Sequence, residues 1–386
     1  MAVGGGVMKI AVVSDAVAPW HVGGKEARYR EILRRIEGKG VEVHIYTMRW
    51  WGMGRMPGHT AIMPRMKLYK PDGQRSMLQA AVFSVACFRL LFVKADLIEA
   101  DHMPGPQLLT LAAVARIRRI PLVATWHEYW GAGTWEEYLG KLGRIGALVE
   151  KLGARYVDAI VAVSGQTRQD LLRDGIEAGK VHLVPNGTWT GKPRAATASE
   201  ERAGLVTFGR LIPHKRVEIA IATLAELRRR GHDLELTVIG EGTEREKLER
   251  LAGELEVSDQ VCFTGVLEEQ AEVWERVSRA QACIMPSERE GYGIAVAEAL
   301  AVGTPVVVSD AKMNAARHLV DDGSTGRICT AGSVDSFADG VETVLQYDHL
   351  AVQRRFTEGG EGCSWDDSAG RQLRIYEELL SSRGKA

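Results

Sequence analysis

Paired metal-type cysteines, a dinucleotide fingerprint and a long uninterrupted apolar run are all missing from this sequence, and each absence removes a class of protein. The five cysteines, Cys87, Cys262, Cys283, Cys329 and Cys363, show no CxxC spacing. Neither a zinc site nor a complete disulfide framework is therefore expected, and a reduced, cytoplasmic setting fits. The longest apolar stretch, Met77 to Val93, is interrupted by Arg89 and falls short of the roughly 20 residues a membrane span needs. It reads as a buried or surface-packed helix. Met1 to Gly6 is a glycine-rich tag without an apolar core, so no secretory leader is expected and Met8 reads as an alternative start. No Gly-x-Gly-x-x-Gly element occurs, and no Asp-x-Asp stands at a strand end.

What is present is a balanced globular composition, 45% hydrophobic and 26% charged, which supplies full cores and argues against disorder. At 386 residues the chain exceeds what one core comfortably serves, so two domains are expected. The net charge of -1 conceals a split. Residues 1–190 carry 25 Lys+Arg against 17 Asp+Glu, and the remainder 24 against 33, so the front is basic by 8 and the rear acidic by 9. A basic front half implies an anionic partner there, such as a membrane surface, a lipid phosphate or a charged glycan. No nucleic-acid partner is expected.

The repeating unit is a short apolar strand, a glycine-bearing turn, an amphipathic helix and another strand, which is the pattern of a parallel sheet. It occurs twice in the same phase. In front, Lys9–Asp15 leads through Gly23-Gly24 and a helix near 26–37 to Val41–Met48; behind, Ala203–Gly209 leads through a helix near 217–230 to Leu234–Gly240. The predicted fold class is α/β, with two Rossmann-like doubly wound parallel-sheet domains facing across a cleft. The expected boundaries are 7–188 for the first domain, completed by a helix over 366–384, a linker at 189–202, and 203–362 for the second.

Ligands of such sheets bind beyond the carboxyl ends of the strands, and the informative residues stand there. Gly209-Arg210-Leu211-Ile212-Pro213-His214-Lys215 joins a close-approach glycine to a forked donor and a point charge, a set suited to a diphosphate. Ser287-Glu288-Arg289-Glu290-Gly291-Tyr292-Gly293 follows a strand and opens a helix near Ile294, whose first amides attract phosphate or sugar oxygens. Glu290 and Glu298 bring two carboxylates toward the same pocket, where vicinal diols satisfy them beside bound phosphate. A sugar nucleotide meets both demands. His127 follows the strand Pro121–Thr125 and Trp126.

At these residues the chain resembles family 4 of the retaining glycosyltransferases, in which a Glu-x7-Glu element follows a proline-serine strand end; here it runs from Glu290 to Glu298. The resemblance extends through Gly23-Gly24, Pro185-Asn186-Gly187, Gly209-Arg210 to Lys215, Ile239-Gly240-Glu241-Gly242, Phe263-Thr264-Gly265 and Ser364-Trp365. It implies that Arg210 and Lys215 hold the donor diphosphate, Glu290 contacts hydroxyls of the transferred hexose and Glu298 binds the ribose. Gly209, the backbone from Gly291 through Tyr292 and Gly293 to Ile294, and Gly24 across the cleft would complete the cradle. Leu267 would touch the base. His127 would lie near the reacting face of the sugar. Family members retain anomeric configuration and usually need no metal, so neither a metal nor a cofactor is expected. The implied donor is a UDP-, GDP- or ADP-sugar and the acceptor a glycan, a lipid-linked molecule or a small molecule.

Acceptor chemistry is expected from the front half. Arg49 to Pro57 and Met63 to Lys67 mix basic, aromatic and methionine residues in an otherwise irregular region. That region reads either as a surface loop or as a contact dipping into a lipid headgroup layer, a peripheral association with the cytoplasmic membrane face. Trp130 and Trp135 are candidates for an acceptor wall. Two other readings stay open: a non-catalytic sugar-nucleotide or glycan-binding protein, and a sugar-nucleotide epimerase on the same plan. The family's usual aspartate after the Asn-Gly turn is replaced by Thr188-Trp189, and Lys312 to Ala316 varies a segment near the donor pocket.

Overall fold

The structure, a computed structural model, describes residues 7–21, 23–52, 54, 56–70, 75–103, 105–188, 202–358 and 363–383. The opening tag, linker residues 189–201, and Met53 and Arg55 of the basic aromatic segment lie outside these residues. The chain divides into two compact units, Met1–Pro185 with Asp366–Ala386, and Asn186–Trp365.

The first unit runs β1 (Met8–Val13), α1 (Gly24–Glu37), β2 (Val41–Met48), β3 (His59–Met63) and α2 (Met77–Ala86), which continues as a 3-10 turn over Cys87–Phe92. There follow β4 (Leu97–Asp101), α3 (Gln107–Arg118), β5 (Leu122–Trp126), α4 (Gly131–Leu139), α5 (Gly143–Tyr156), β6 (Ala159–Ala162), α6 (Gly165–Arg173) and β7 (Val181–Leu183). The strands form one sheet in the order β3-β2-β1-β4-β5-β6-β7, parallel throughout. Its order reverses between β1 and β4, so α1 and α3 cover opposite faces.

The second unit runs β8 (Leu205–Phe208), α7 (Val217–Arg229), β9 (Leu236–Ile239), α8 (Arg245–Glu254), β10 (Val261–Gly265), α9 (Gln270–Arg279) and β11 (Ala282–Met285). It continues with β12 (Arg289–Glu290), α10 (Ile294–Ala301), β13 (Val306–Ser309), β14 (Met313–Asn314), β15 (Gly326–Cys329), α11 (Val334–Val344) and α12 (His349–Glu358). Its parallel sheet is ordered β10-β9-β8-β11-β13-β15, with the switch between β8 and β11. The strands β12 and β14 pair separately, Arg289 with Met313 and Glu290 with Asn314.

Central strands of doubly covered sheets must be apolar on both sides, and β6, β8, β11 and β13 are buried at every position. Helix α1 shows the complementary pattern, burying Tyr29, Ile32, Leu33 and Ile36 at helical spacing. The final helix α13 (Trp365–Arg383) is fastened to the first unit by a buried polar chain. Arg28 donates to Gln372 Oε1 at 2.8 Å and to the Val184 carbonyl at 3.0 Å, Gln372 donates to Tyr376 Oη at 2.6 Å, and Tyr376 donates to Glu99 at 3.1 Å.

Two local expectations change, and that of a surface-packed helix over Met77–Val93 is met. The region after Arg49 contains a regular strand, because the β2 backbone offers a free edge on which His59–Met63 pairs from Ile45 to Met48. Trp50 there is buried, its indole N–H donating to the Asp15 carbonyl at 3.0 Å. The Met77–Val93 stretch packs only part of its surface, burying Ala80, Phe83, Cys87 and Leu90 while Leu78, Val85 and Phe92 stay exposed.

Candidate active site

In the second unit the strand β8 ends at Phe208, and Gly209 leaves it with φ 134°, a conformation few side chains tolerate. Its N–H donates to the Ile239 carbonyl at 2.9 Å, and the Leu211 N–H donates to the Glu241 carbonyl at 2.8 Å, so the loop is pinned to the neighbouring strand end. A 3-10 turn over Pro213–Lys215 then presents Lys215. Its Nζ lies 2.5 Å from Glu290 Oε1, which also accepts from Ser287 Oγ at 2.9 Å. The Glu288 N–H donates to the His214 carbonyl at 2.8 Å, stitching the loops after β8 and β11 together.

Glu290 is not in an irregular loop. Its backbone belongs to β12, and its partner Asn314 is fully buried, donating from Nδ2 to the Ser309 carbonyl at 2.9 Å and accepting from the Ala316 N–H at 3.1 Å. Pairing to this anchored strand is what aims the carboxylate. Burial alone would raise its pKa, but the Lys215 charge and the hydrogen bonds from Lys215 and Ser287 outweigh it and hold Glu290 below the usual range. Burial, reinforced by the charges of Arg289 and Lys215, pushes His214 down to about 4, which leaves it neutral near pH 7.

A pocket at the β8/β11 switch is lined by Gly209, Arg210, Lys215, Met285 and Ser287, with Arg210 exposed. Its volume is about 10 Å³, room for about one water. Gly293, the residue before α10, has φ 92°, and a Cβ there would stand 2.3 Å from that of Ala316. Glycine is required at that point, which brings the first turn of α10, with Ile294 half-buried at its start, against the Asn314 segment. Tyr292 is buried and Gly291 half-buried.

Of the residues expected at the donor, Glu290, Gly291, Tyr292, Gly293, Ile294, Glu298 and Leu267 are not on the lining of this pocket. Glu298 is half-buried on α10, with Gln270 Nε2 3.5 Å from its Oε1. Leu267 is half-buried in the segment between β10 and α9.

The first unit gathers charge at its own switch point. Lys25, directly after Gly24, places Nζ 2.5 Å from Asp101 Oδ2 and 3.5 Å from Asp15 Oδ1. Asp15 also pairs with Arg75 and accepts from Gln79 Nε2 at 3.2 Å. Both aspartates are fully buried. Desolvation would raise the Asp101 pKa, yet the Lys25 charge holds it far below the carboxylate range. The His127 ring stands at the end of β5 with Nε2 4.0 Å from Asp101 Oδ1. Burial, helped by His102, Arg28 and Lys25, pushes its pKa down to about 3 despite Asp101, so the ring is neutral at physiological pH. Gly24 opens α1, and Gly23 before it is extended at φ -172°.

Sequence reasoning passed over Asp15, Lys25, Arg75 and Asp101. A signal existed: in Val12-Val13-Ser14-Asp15 and Ile98-Glu99-Ala100-Asp101 an aspartate stands at the end of an apolar strand or two residues past it, on the two strands that flank the switch. Trp130 and Trp135 pack on each other with centroids 4.9 Å apart, and Trp135 donates to Glu150 at 2.9 Å. Trp135 is buried, which places it in the fabric of the unit.

Known proteins bear on both units. Residues 192–361 match the family described as Glycosyl transferases group 1, and residues 22–190 match Glycosyltransferase Family 4. The chain is 31% identical to the glycogen synthase of Mycobacterium tuberculosis over 291 residues, covering 71% of this chain and 66% of that protein. It thus spans about two thirds of that relative's length. It is 25% identical over 419 aligned residues to the MMP alpha-(1->4)-mannosyltransferase of Mycolicibacterium hassiacum, covering 97% and 99%. Among solved structures, Anabaena Alr3699/HepE in complex with UDP and glucose superposes with a TM-score of 0.69 at 18% identity, covering 97% of this chain and all (100%) of that one. Matched along nearly its whole length by two descriptions of one enzyme group, and folded as two parallel-sheet α/β units, the chain belongs to the family 4 glycosyltransferases of GT-B fold.

Proposed function

We propose that the chain is a retaining glycosyltransferase that moves a hexose from a nucleotide-sugar donor, bound by the second unit, to a glycan or lipid-linked acceptor. The observation that carries this reading is the Lys215–Glu290–Ser287 constellation beside Arg210 at the β8/β11 switch point, where open α/β sheets take their ligands. A diphosphate entering there draws Lys215 away from Glu290. The freed carboxylate then accepts hydrogen bonds from sugar hydroxyls. The mannosyltransferase likeness and the UDP and glucose held by the Anabaena protein support a sugar nucleotide.

In this reading Arg210 supplies a planar fork to phosphate oxygens and Lys215 a point charge. The amides from Gly291 through Gly293 to Ile294, at the start of α10, add positive potential. Glu298 takes the ribose hydroxyls with Gln270 beside it, Gly209 lets the backbone approach the diphosphate, and Leu267 meets the base. Gly24 contributes an amide at the start of α1. His127, neutral, positions the hexose by hydrogen bonding and takes no nucleophilic part.

The route is front-face displacement. The acceptor oxygen bonds to the anomeric carbon on the side from which the glycosyl–phosphate bond breaks, and the leaving phosphate takes the acceptor's proton. Arg210 and Lys215 stabilise the charge that develops. Glu290→Ala is expected to abolish transfer while circular dichroism shows an intact fold; near-normal turnover in that variant removes the assignment. A thermal-shift screen of UDP-, GDP- and ADP-sugars identifies the donor. Release of a free sugar or of an epimerised nucleotide sugar in place of transfer would favour the binding-protein or epimerase readings.

A further inference from the structure

The basic surplus of the front half is concentrated on one layer of the first sheet. Helix α3 packs against α2, its 3-10 continuation and α5. Residues 77–94, 107–119 and 143–156, which make this layer, contain eight Lys and Arg and a single carboxylate, Glu150. Glu150 is buried and turned inward, accepting from the Gly131 N–H at 3.0 Å and the Trp135 indole at 2.9 Å. Arg144 and Lys151 pair with Glu136 and Asp174. Arg89, Lys94, Arg116, Arg119 and Arg155 are exposed.

The same layer exposes large apolar side chains beyond what a solvated helix carries. Phe92 is 90% exposed, Leu78 and Ile117 68%, Val85 67% and Ile145 60%. Beside α2 lies an apolar groove of about 510 Å³, walled by Ile62, Pro64, Val82, Val85 and Phe88, with Arg89 on its lining. The adjoining strand segment adds exposed Arg65, Lys67 and Lys70. Across 59–95 the sequence holds one acidic residue, Asp72.

Apolar side chains interleaved with cations, on helices too short to cross a bilayer, are the composition of a surface that lies in a lipid headgroup region. No helix among the described residues is long and apolar enough to span a membrane. We propose that the α2, α3 and α5 face docks on an anionic phospholipid bilayer, with one acyl chain seated in the groove beside α2 and Arg89 and Arg65 meeting headgroup phosphates. The contact differs from the one suggested by the Arg49–Pro57 segment, since Trp50 there is buried. None of the residues it uses belongs to the donor assignment.

The test is cosedimentation of the full chain with phosphatidylcholine vesicles, with and without about 30 mol% phosphatidylglycerol. Binding is expected to the anionic vesicles alone and to weaken in about 0.5 M salt, where screening is nearly complete. Val85→Ser with Phe92→Ser, both at exposed positions, should lower it about tenfold or more through lost apolar insertion. Arg89→Gln with Arg116→Gln should lower it less and flatten the salt dependence. UDP-induced thermal stabilisation should be the same in every variant, which separates this surface from the donor site. Absence of binding by the native chain overturns the proposal, as does equal binding by all variants. So does concentration-dependent self-association, by size exclusion without lipid, that the Val85→Ser, Phe92→Ser variant abolishes: the face would then belong to a second copy.

Discussion

The two units place charged residues at equivalent points, where strand order reverses, yet use them in opposite ways. In the first unit Asp15 and Asp101 are completely buried and consumed by Lys25 and Arg75. The set is closed on itself and close to neutral. In the second unit Arg210 is exposed and Lys215 holds one carboxylate that is itself a candidate ligand group. A closed set rigidifies the strand ends, because breaking any member leaves a buried charge uncompensated. A half-open set can exchange an internal partner for a substrate. In the proposed reading donor binding falls to the second switch point and positioning to the first.

The largest expected effect tests the open set. Lys215→Ala should lower transfer by about a hundredfold to a thousandfold, the loss typical when a group stabilising developing charge is removed, in a steady-state assay with the identified donor. Lys25→Met should leave the donor's thermal stabilisation in place.

Stability should respond the other way round. Asp101→Asn removes the closest partner of Lys25 and is expected to cost about 3 kcal/mol in urea unfolding, the scale for breaking a buried pair. Glu290→Gln, which keeps the shape at a partly accessible site, should cost roughly 1 kcal/mol. Equal losses in the two variants would dissolve the distinction.

A pH-dependent effect, spread over the window between two pKa values, comes from the chain that fastens α13. Burial raises the Glu99 carboxyl from 4.5 to about 7, against the hydrogen bonds from Thr125 and Tyr376. Between those values the folded chain binds a proton that the unfolded chain has released. Stability therefore falls as pH rises through that window and is level above it, by up to roughly 3 kcal/mol in all. Urea midpoints measured from pH 5 to 8 should show this slope, and Glu99→Gln should flatten it.

The same contrast explains what was legible in the sequence. Buried central strands such as Val306–Ser309 announce themselves as apolar runs, whereas β3 and β15, HTAIM and GRIC, sit at sheet edges with half-exposed residues and no clear alternation. The strands β12 and β14 are two residues each and exist only through tertiary pairing. In the second unit the candidate residues are clustered in sequence, Gly209–Lys215 and Ser287–Glu298, so a spacing betrays them. The first unit draws Asp15, Lys25, Arg75 and Asp101 from four separated segments. No spacing rule covers such a set, and only the strand order brings it together.

The most direct test of the central claim is calorimetric titration of UDP and GDP into the native chain and its Lys215→Ala and Lys25→Met variants. The account predicts that whichever nucleotide binds loses about tenfold or more in affinity in Lys215→Ala, the worth of one charge-assisted hydrogen bond, and that Lys25→Met binds as the native chain does. Undiminished binding by Lys215→Ala, with the loss falling on Lys25→Met, would contradict it.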